Sequence, residues 1–429
     1  MRLSVTVPLL TLGSVSLFAV ALTVPSSGAV AGAAACSHAQ PSASSTDAKR
    51  LAQPTSASDA RPLGESLGDG ISAAVSSLEP LDATGRPTSG LPYGLSQGVI
   101  GVVGSATTGY KVVVDSARLD AKKYQSAMAR NLPAAGKQMV RVERSCRSSQ
   151  SIADAWDAVG ARAWSSDAGS TTFAADLDPV TENVVVEYDQ ATTSPASQAG
   201  LRKLSGVQVV ASSLARTTRL SDTPKGGHWG GARITSALKN CTAGFSVVRR
   251  SNGQRGTVTA GHCGAAGTVW KSGTNYYGTT TLRTNYPDYD QSLVTGSAYG
   301  AKIWTDGPGD TVNTRTVTGG GDPGVGTVVC QSGSFSTSLC GLTVRSNSAK
   351  YCDSDGCTTY VMRATRGGLV AIIGGDSGGP VYTRRGTSSA TVRGIAFAGA
   401  GCAASRCTTL YAERYKSITG HLGVTALTG

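Results

Sequence analysis

The sequence predicts a small α+β domain followed by an all-β sandwich or pair of barrels, behind an export signal. Two observations carry the β prediction. Short β-prone runs recur between turn residues through the second half: Phe245 to Val248, Gly256 to Thr259, Leu293 and Val294, Thr327 to Cys330, Tyr360 to Met362, Val381 and Tyr382, and Val392 to Phe397. The composition agrees, because 55 glycines and a charged fraction of 15% suit many tight turns between strands. At 429 residues the chain is too long for one small domain.

From the start, Met1 to about Ala35 reads as an export signal, with Arg2 as a minimal positive end. Val5 to Val24 is uncharged and mostly apolar, and Ala29-Val30-Ala31 and Ala33-Ala34-Ala35 offer small-residue cleavage sites. The run approaches the roughly 20 residues that span a bilayer. Its Ser, Thr and Gly content and the small residues behind it favour removal. No comparable run follows, so the expected product is secreted and extracellular, with no stable membrane span after processing. Cys36 stands where a lipid-modified cysteine would, although Ala33, three places earlier, matches that signal weakly.

Residues 36–97 are rich in Ala, Ser, Gly and Pro and show no sustained periodicity, so they read as a flexible lead-in. Residues 98–220 alternate apolar runs with helical stretches. Tyr110 to Val114 reads as a strand, and Ser116 as the cap of a helix with Tyr124, Met128 and Leu132 on one face. Met139 to Val142 reads as another strand, and Ser149 to Trp164 as a second helix with Ile152, Trp156, Val159 and Ala163 on one side. Phe173 to Leu177 and Val184 to Tyr188 flank Asp178-Pro179 as a hairpin, and Val207 to Ala211 closes the series. A faint internal repeat sets Val112-Val113-Val114, helix, Val140-Arg141-Val142 against Val184-Val185-Val186, helix, Val207-Gln208-Val209. Glu413 to Leu422 reads as a terminal helix.

Within the β-rich part stands Gly374-Gly375-Asp376-Ser377-Gly378-Gly379-Pro380. A serine hydroxyl reacts at neutral pH only with a base beside it and donors waiting for the oxyanion. Glycines around Ser377 let a substrate carbonyl come close, and the amides of Gly375 and Ser377 can then point at one oxygen. Such a cluster by itself is a turn. Two companions change that reading: Thr259-Ala260-Gly261-His262-Cys263, and Asp290-Gln291-Ser292-Leu293-Val294, an acid opening a short apolar strand. The chain order is His, Asp, Ser.

That order and these words resemble the chymotrypsin-like serine peptidases, and Cys241-Thr242-Ala243-Gly244-Phe245 narrows the likeness to their bacterial streptogrisin and alpha-lytic branch. The resemblance covers residues 226 to 429 strongly and the preceding segment more loosely. It implies an all-β peptidase domain of two antiparallel β-barrels with a C-terminal helix, over 221–429, preceded by a smaller α+β pro-domain. It implies that His262 takes the Ser377 proton, that Asp290 fixes the imidazole, and that the amides of Gly375 and Ser377 bind the oxyanion. Asp288 is close by, but only Asp290 directly precedes the Gln-Ser-Leu-Val run in the family's register. His38, His228 and His421 lie in the lead-in, near the expected mature start and in the terminal helix, so only His262 has a catalytic setting. Asp376 reads as structural, a buried charge that needs a cationic or backbone partner.

The resemblance implies further features. Ala371 stands at the base of the primary pocket where a Lys/Arg-selective enzyme would carry an acid, and Phe397 and Gly399 belong to its wall; an apolar residue before the cut is expected. Cys241 pairs with Cys263, and Cys330 with Cys340, Cys352 with Cys357 and Cys402 with Cys407 close short loops, worth ~2–3 kcal/mol apiece. Ala371 and Ile372 stand where many relatives carry a further bridging cysteine. Cys146 has only Cys36 as an obvious partner. The pro-region is expected to act as folding aid and inhibitor, since a double barrel rich in non-local contacts folds slowly. There is no Ile-Val-Gly-Gly start, so activation is expected by pro-region removal, with a cut after Leu220.

Protein or peptide substrates are the expected partners of a monomer. No cofactor or metal is expected, and no paired Cys/His zinc spacing occurs. The net charge of +12 is scattered and mostly Arg, without the clustered stripe that nucleic acid requires. Two rivals stand beside the peptidase reading. An inactive peptidase fold serving as a secreted or cell-surface binding module would usually have lost a triad member. An esterase elbow would place Asp and His after the serine, and here both precede it.

Overall fold

The computed structural model describes residues 37–42, 44–53, 62–190, 193–212, 228–283, 285–305, 307, 310, 312–403 and 405–429. The export signal, Cys36 and the cut after Leu220 lie outside them. All the described residues fall in one compact unit. None of its helices is long and apolar enough to cross a membrane.

The expected flexible lead-in is corrected by two helices, α1 (Ser45–Ala52) and α2 (Leu63–Ser76). Leu63, Leu67, Ile71, Ala74 and Val75 form one buried helical face of α2. Gly64, Gly68 and Gly70 dilute that periodicity in the sequence, yet close approach requires at least the first: a Cβ on Gly64 would meet the Ala106 carbonyl oxygen at 1.8 Å.

Next come two copies of one β-β-α-β pattern. In the first, Val99–Ser105 pairs antiparallel with Gly109–Val114, which lies parallel to Val140–Arg144 across α3 (Ala121–Met128). In the second, Phe173–Asp178 pairs antiparallel with Asn183–Asp189, which lies parallel to Val207–Ser212 across α5 (Pro195–Lys203), with α4 (Ser149–Gly160) between the copies. The faint repeat of valine-rich runs is this duplication. The α3 helix starts at Asp120 rather than Ser116, because the Asp120 carboxylate accepts the Lys123 N–H at 2.8 Å.

The β-rich part has two barrel-like sheets. The first runs in the order Val424–Ala426, Ser246–Arg249, Arg255–Thr259, Ser292–Thr295, Asn275–Leu282, Val269–Ser272, Arg233–Thr235, Asn240–Thr242. The second closes on itself where Ser389–Ala403, already paired with Pro380–Arg385, also pairs with Arg406–Arg414. Two of its pairings are parallel, Tyr299–Trp304 with His228–Gly230 and Thr314–Gly320 with Ser389–Ala403, a departure from the all-antiparallel expectation. The terminal helix α6 (Tyr415–His421) follows, and the last strand returns to the first sheet.

The two regions share a sheet. Phe173–Asp178 pairs antiparallel with Thr337–Asp353 in the register Lys350 to Ala175, Tyr351 to Ala174 and Cys352 to Phe173. Arg363 of the β-rich part lies 3.1 Å from Glu187 and 4.0 Å from Asp176, and Arg385 and Arg393 lie 2.9 and 3.2 Å from Glu65 of α2.

Candidate active site

His262 sits in a short 3-10 turn, Gly261–Cys263, directly after the strand Arg255–Thr259. Asp290 lies just before Ser292–Thr295, which pairs with that same strand, so adjacent strands carry the two residues to one end of the first sheet. Asp290 is fully buried and His262 nearly so. Nδ1 of His262 is 2.8 Å from Asp290 Oδ2, and the His262 backbone N–H donates to Oδ1 at 2.8 Å. The carboxylate therefore grips both ring and backbone, leaving Nε2 uncommitted to Asp290.

Ser377 comes from the second sheet. The Thr242 N–H donates to its carbonyl oxygen at 2.8 Å, which ties the serine to the strand bearing Cys241. Cys241 is bonded to Cys263, and Cys263 Sγ lies 3.8 Å from the Ser377 carbonyl oxygen and 4.0 Å from His262 Nε2. The disulfide thus lies beside the His262 ring and the Ser377 main chain, while no hydrogen bond joins Ser377 Oγ to His262 Nε2 among the described residues. Gly378 has φ of +93°, and a Cβ there would meet the Thr242 carbonyl oxygen at 2.1 Å, so only glycine fits beside the serine. Gly375 also has a positive φ and packs under the Phe335 ring. Among the described residues, the Gly375 and Ser377 amides enter no hydrogen bond, while their neighbours do: Gly378 N–H donates to Ala396 O and Gly379 N–H to Asp376 O.

The partner that Asp376 requires is the backbone. Its Oδ1 accepts the Phe335 and Ser336 N–H groups at 3.1 and 3.0 Å, and Oδ2 accepts the Ile373 N–H at 2.9 Å. Burial pushes its carboxyl above the usual range, with these donors opposing the shift. Sequence reasoning missed Glu413, fully buried beside Asp290, whose Oε1 accepts the Asp290 N–H at 2.8 Å. Its sole signal was an acid directly after the short apolar run Leu410-Tyr411-Ala412.

Ala371 and Phe397 are buried, and the Ala371 N–H donates to Cys407 O at 2.7 Å. Phe397 is the extra residue of a β-bulge, since Ala396 and Ala398 oppose the consecutive residues Ala412 and Tyr411. Its ring meets Tyr351 edge-on at 5.8 Å. Gly399 packs on Ile372 and Cys407. Three further bonds, Cys330–Cys340, Cys352–Cys357 and Cys402–Cys407, each close a hairpin. Cys146 is itself disulfide-bonded. The sulfurs that cluster with His262, and Cys146 beside His38 and Glu182, are therefore oxidised and offer no thiolate for a metal.

No family model matches the chain. It is 31% identical over 251 residues to Streptogrisin-C of Streptomyces griseus, covering 55% of this chain and 50% of that one. Over about half its length the chain is similar to the streptogrisin and alpha-lytic branch of the chymotrypsin-like serine peptidases. A second relative, Serine protease 1 of Streptomyces fradiae, is 29% identical over 212 residues, covering 47% of this chain and 54% of that one. The chain spans about half the length of the curated relatives it matches. Among solved structures, Thermobifida fusca Protease A is 27% identical, with a TM-score of 0.39, covering 48% of this chain and all of that one.

Proposed function

We propose that the chain is a secreted serine endopeptidase made as a zymogen. The observation that carries this reading is the His262–Asp290 pair, with one disulfide beside both its ring and the Ser377 main chain, and with the Gly375 and Ser377 amides uncommitted. In the proposed cycle His262 Nε2 accepts the Ser377 Oγ proton as Oγ attacks the peptide carbonyl, and the two amides stabilise the oxyanion. His262 then gives the proton to the leaving amine, and water, deprotonated by the same nitrogen, releases the acyl group. Ala371 provides no acid for a basic side chain, so the substrate residue before the cut is apolar, in a pocket shaped by Phe397 and Gly399.

The N-terminal region is proposed to be the folding aid and inhibitor, removed by a cut after Leu220. The shared sheet and the Arg363, Arg385 and Arg393 ion pairs support this role, since they template one edge of the second sheet. The test is the intact mass of the secreted product with and without a fluorophosphonate. A species beginning near residue 221, shifted by one label and unshifted in Ser377→Ala, is expected. A full-length, unlabelled product would favour a binding module instead.

A further inference from the structure

We propose that Glu413 is a positioning residue for the His262–Asp290 pair, seating the catalytic carboxylate by holding its backbone from behind. The inference deepens the peptidase reading and rests on it for the word catalytic. Glu413 ends the strand Arg406–Arg414 of the second sheet, whereas Asp290 belongs to the first. The contact is therefore a strut between the two sheets at the place where the triad must be held in register. Glu413 Oε1 accepts the Asp290 N–H at 2.8 Å, and Oε2 lies 3.0 Å from Ser417 Oγ at the start of α6. The Asp290 N–H is buried, so without this acceptor it is an orphan donor, and the loop must move to satisfy it. Any such movement is transmitted to the ring, because both Asp290 oxygens are engaged by His262.

The charged groups facing Glu413 come from three directions. Asp290 opposes its ionisation, while Arg86 of the N-terminal region favours it. The next residue in the chain, Arg414, is a further cation near it. Arg86 also donates to the Asp288 carbonyl at 2.9 Å and lies 3.7 Å over the Tyr289 ring, so the N-terminal region grips the same loop. Burial pushes the Glu413 carboxyl up to about 7, which lets its charge change near neutral pH.

The experiment reads the proton on His262 Nδ1 by proton NMR as a function of pH, in the full chain carrying Ser377→Ala. Glu413→Ala is expected to shift that resonance. Glu413→Gln, which keeps a carbonyl acceptor, is expected to hold it near its parent value while abolishing a pH-dependent step near neutrality. In the Ser377-bearing enzyme the Ala variant is expected to lose about tenfold to a hundredfold in kcat with KM little changed, and Gln to rescue most of it. A folded Ala variant with parental resonance and kcat overturns the proposal. Should the Ala variant not fold, Glu413→Asp decides, because a side chain one methylene shorter withdraws the acceptor while keeping the carboxylate, and a parental resonance and kcat there overturn the proposal as well. Fluorophosphonate labelling of the parent separates the two readings. An unlabelled parent with the expected NMR changes would sink the peptidase reading and leave the strut standing.

Discussion

Replacing Asp376 tests the account of the nucleophile loop most directly. Its carboxylate holds three main-chain donors, Phe335, Ser336 and Ile373, and is fully buried. Asp376→Ala orphans all three, at about 1–3 kcal/mol each, or roughly 3–6 kcal/mol for a loop that relaxes partly. Relief of a buried charge that burial already disfavours returns about 1–2 kcal/mol, so the net loss should be about 2–4 kcal/mol. That is a large share of a typical stability of about 5–15 kcal/mol. Asp376→Asn should cost less, about 1–3 kcal/mol. Oδ1 already serves two donors, so the amide NH2 takes the Oδ2 place and faces the Ile373 N–H, donor against donor. The assay is urea unfolding of both variants in a Ser377→Ala background that prevents self-digestion. An Ala variant within about 1 kcal/mol of its parent, or an Asn variant less stable than the Ala one, would refute the reasoning.

Three further outcomes are expected. Burial raises the Asp176 carboxyl to about 6 despite Arg363 4.0 Å away. Its folded value lies above the unfolded one, so its contribution is full below about pH 4 and is lost as pH rises through about 6; Asp176→Asn should flatten the thermal midpoint over that window, and an unchanged slope would contradict it. Burial lowers the Lys350 ammonium to about 8, with Nζ 4.2 Å over the Trp156 ring. Lys350→Met should therefore stabilise the full chain at neutral pH by about 1 kcal/mol net of the lost ring contact, read as a higher melting point. Phe397→Ala should cost about 3–5 kcal/mol in urea unfolding and admit larger side chains before the cut in a peptide panel, whereas a small loss would mean its bulge does not anchor the core.

How much of this was legible depended on how local each signal was. His262, Asp290 and Ser377 stand in short motifs, and the strands around them alternate with turn residues, so both could be read in order. The β-β-α-β duplication was visible because the second strand of each copy carries a run of three valines. The helix α2 was not visible, since its apolar face is punctuated by glycines that serve contacts with residues far along the chain. Glu413 and the backbone partners of Asp376 were hidden for the same reason: hydrogen bonds across 123 and 41 residues leave no local pattern. The bulge at Phe397 was likewise invisible, because it exists only relative to the register of Arg406–Arg414.

The shared sheet has a consequence for the order of events in folding. The long strand Thr337–Asp353 pairs with Gly356–Thr365 on one side, and its far end receives Phe173–Asp178 on the other. An edge strand of this kind is a template for unwanted pairing unless something covers it. In the full chain the cover is local in sequence: Phe173–Asp178 is itself held by its hairpin partner Asn183–Asp189. The N-terminal region can therefore form first and offer a finished edge to a β-rich part whose own contacts are distant. That order predicts that Val185→Pro, which removes a hydrogen bond of the N-terminal hairpin opposite Asp176 and leaves the barrel-like sheets intact, should slow refolding of the full chain more than it speeds unfolding. Stopped-flow fluorescence in the Ser377→Ala background checks it, and an effect confined to the unfolding rate would place the hairpin after the barrier.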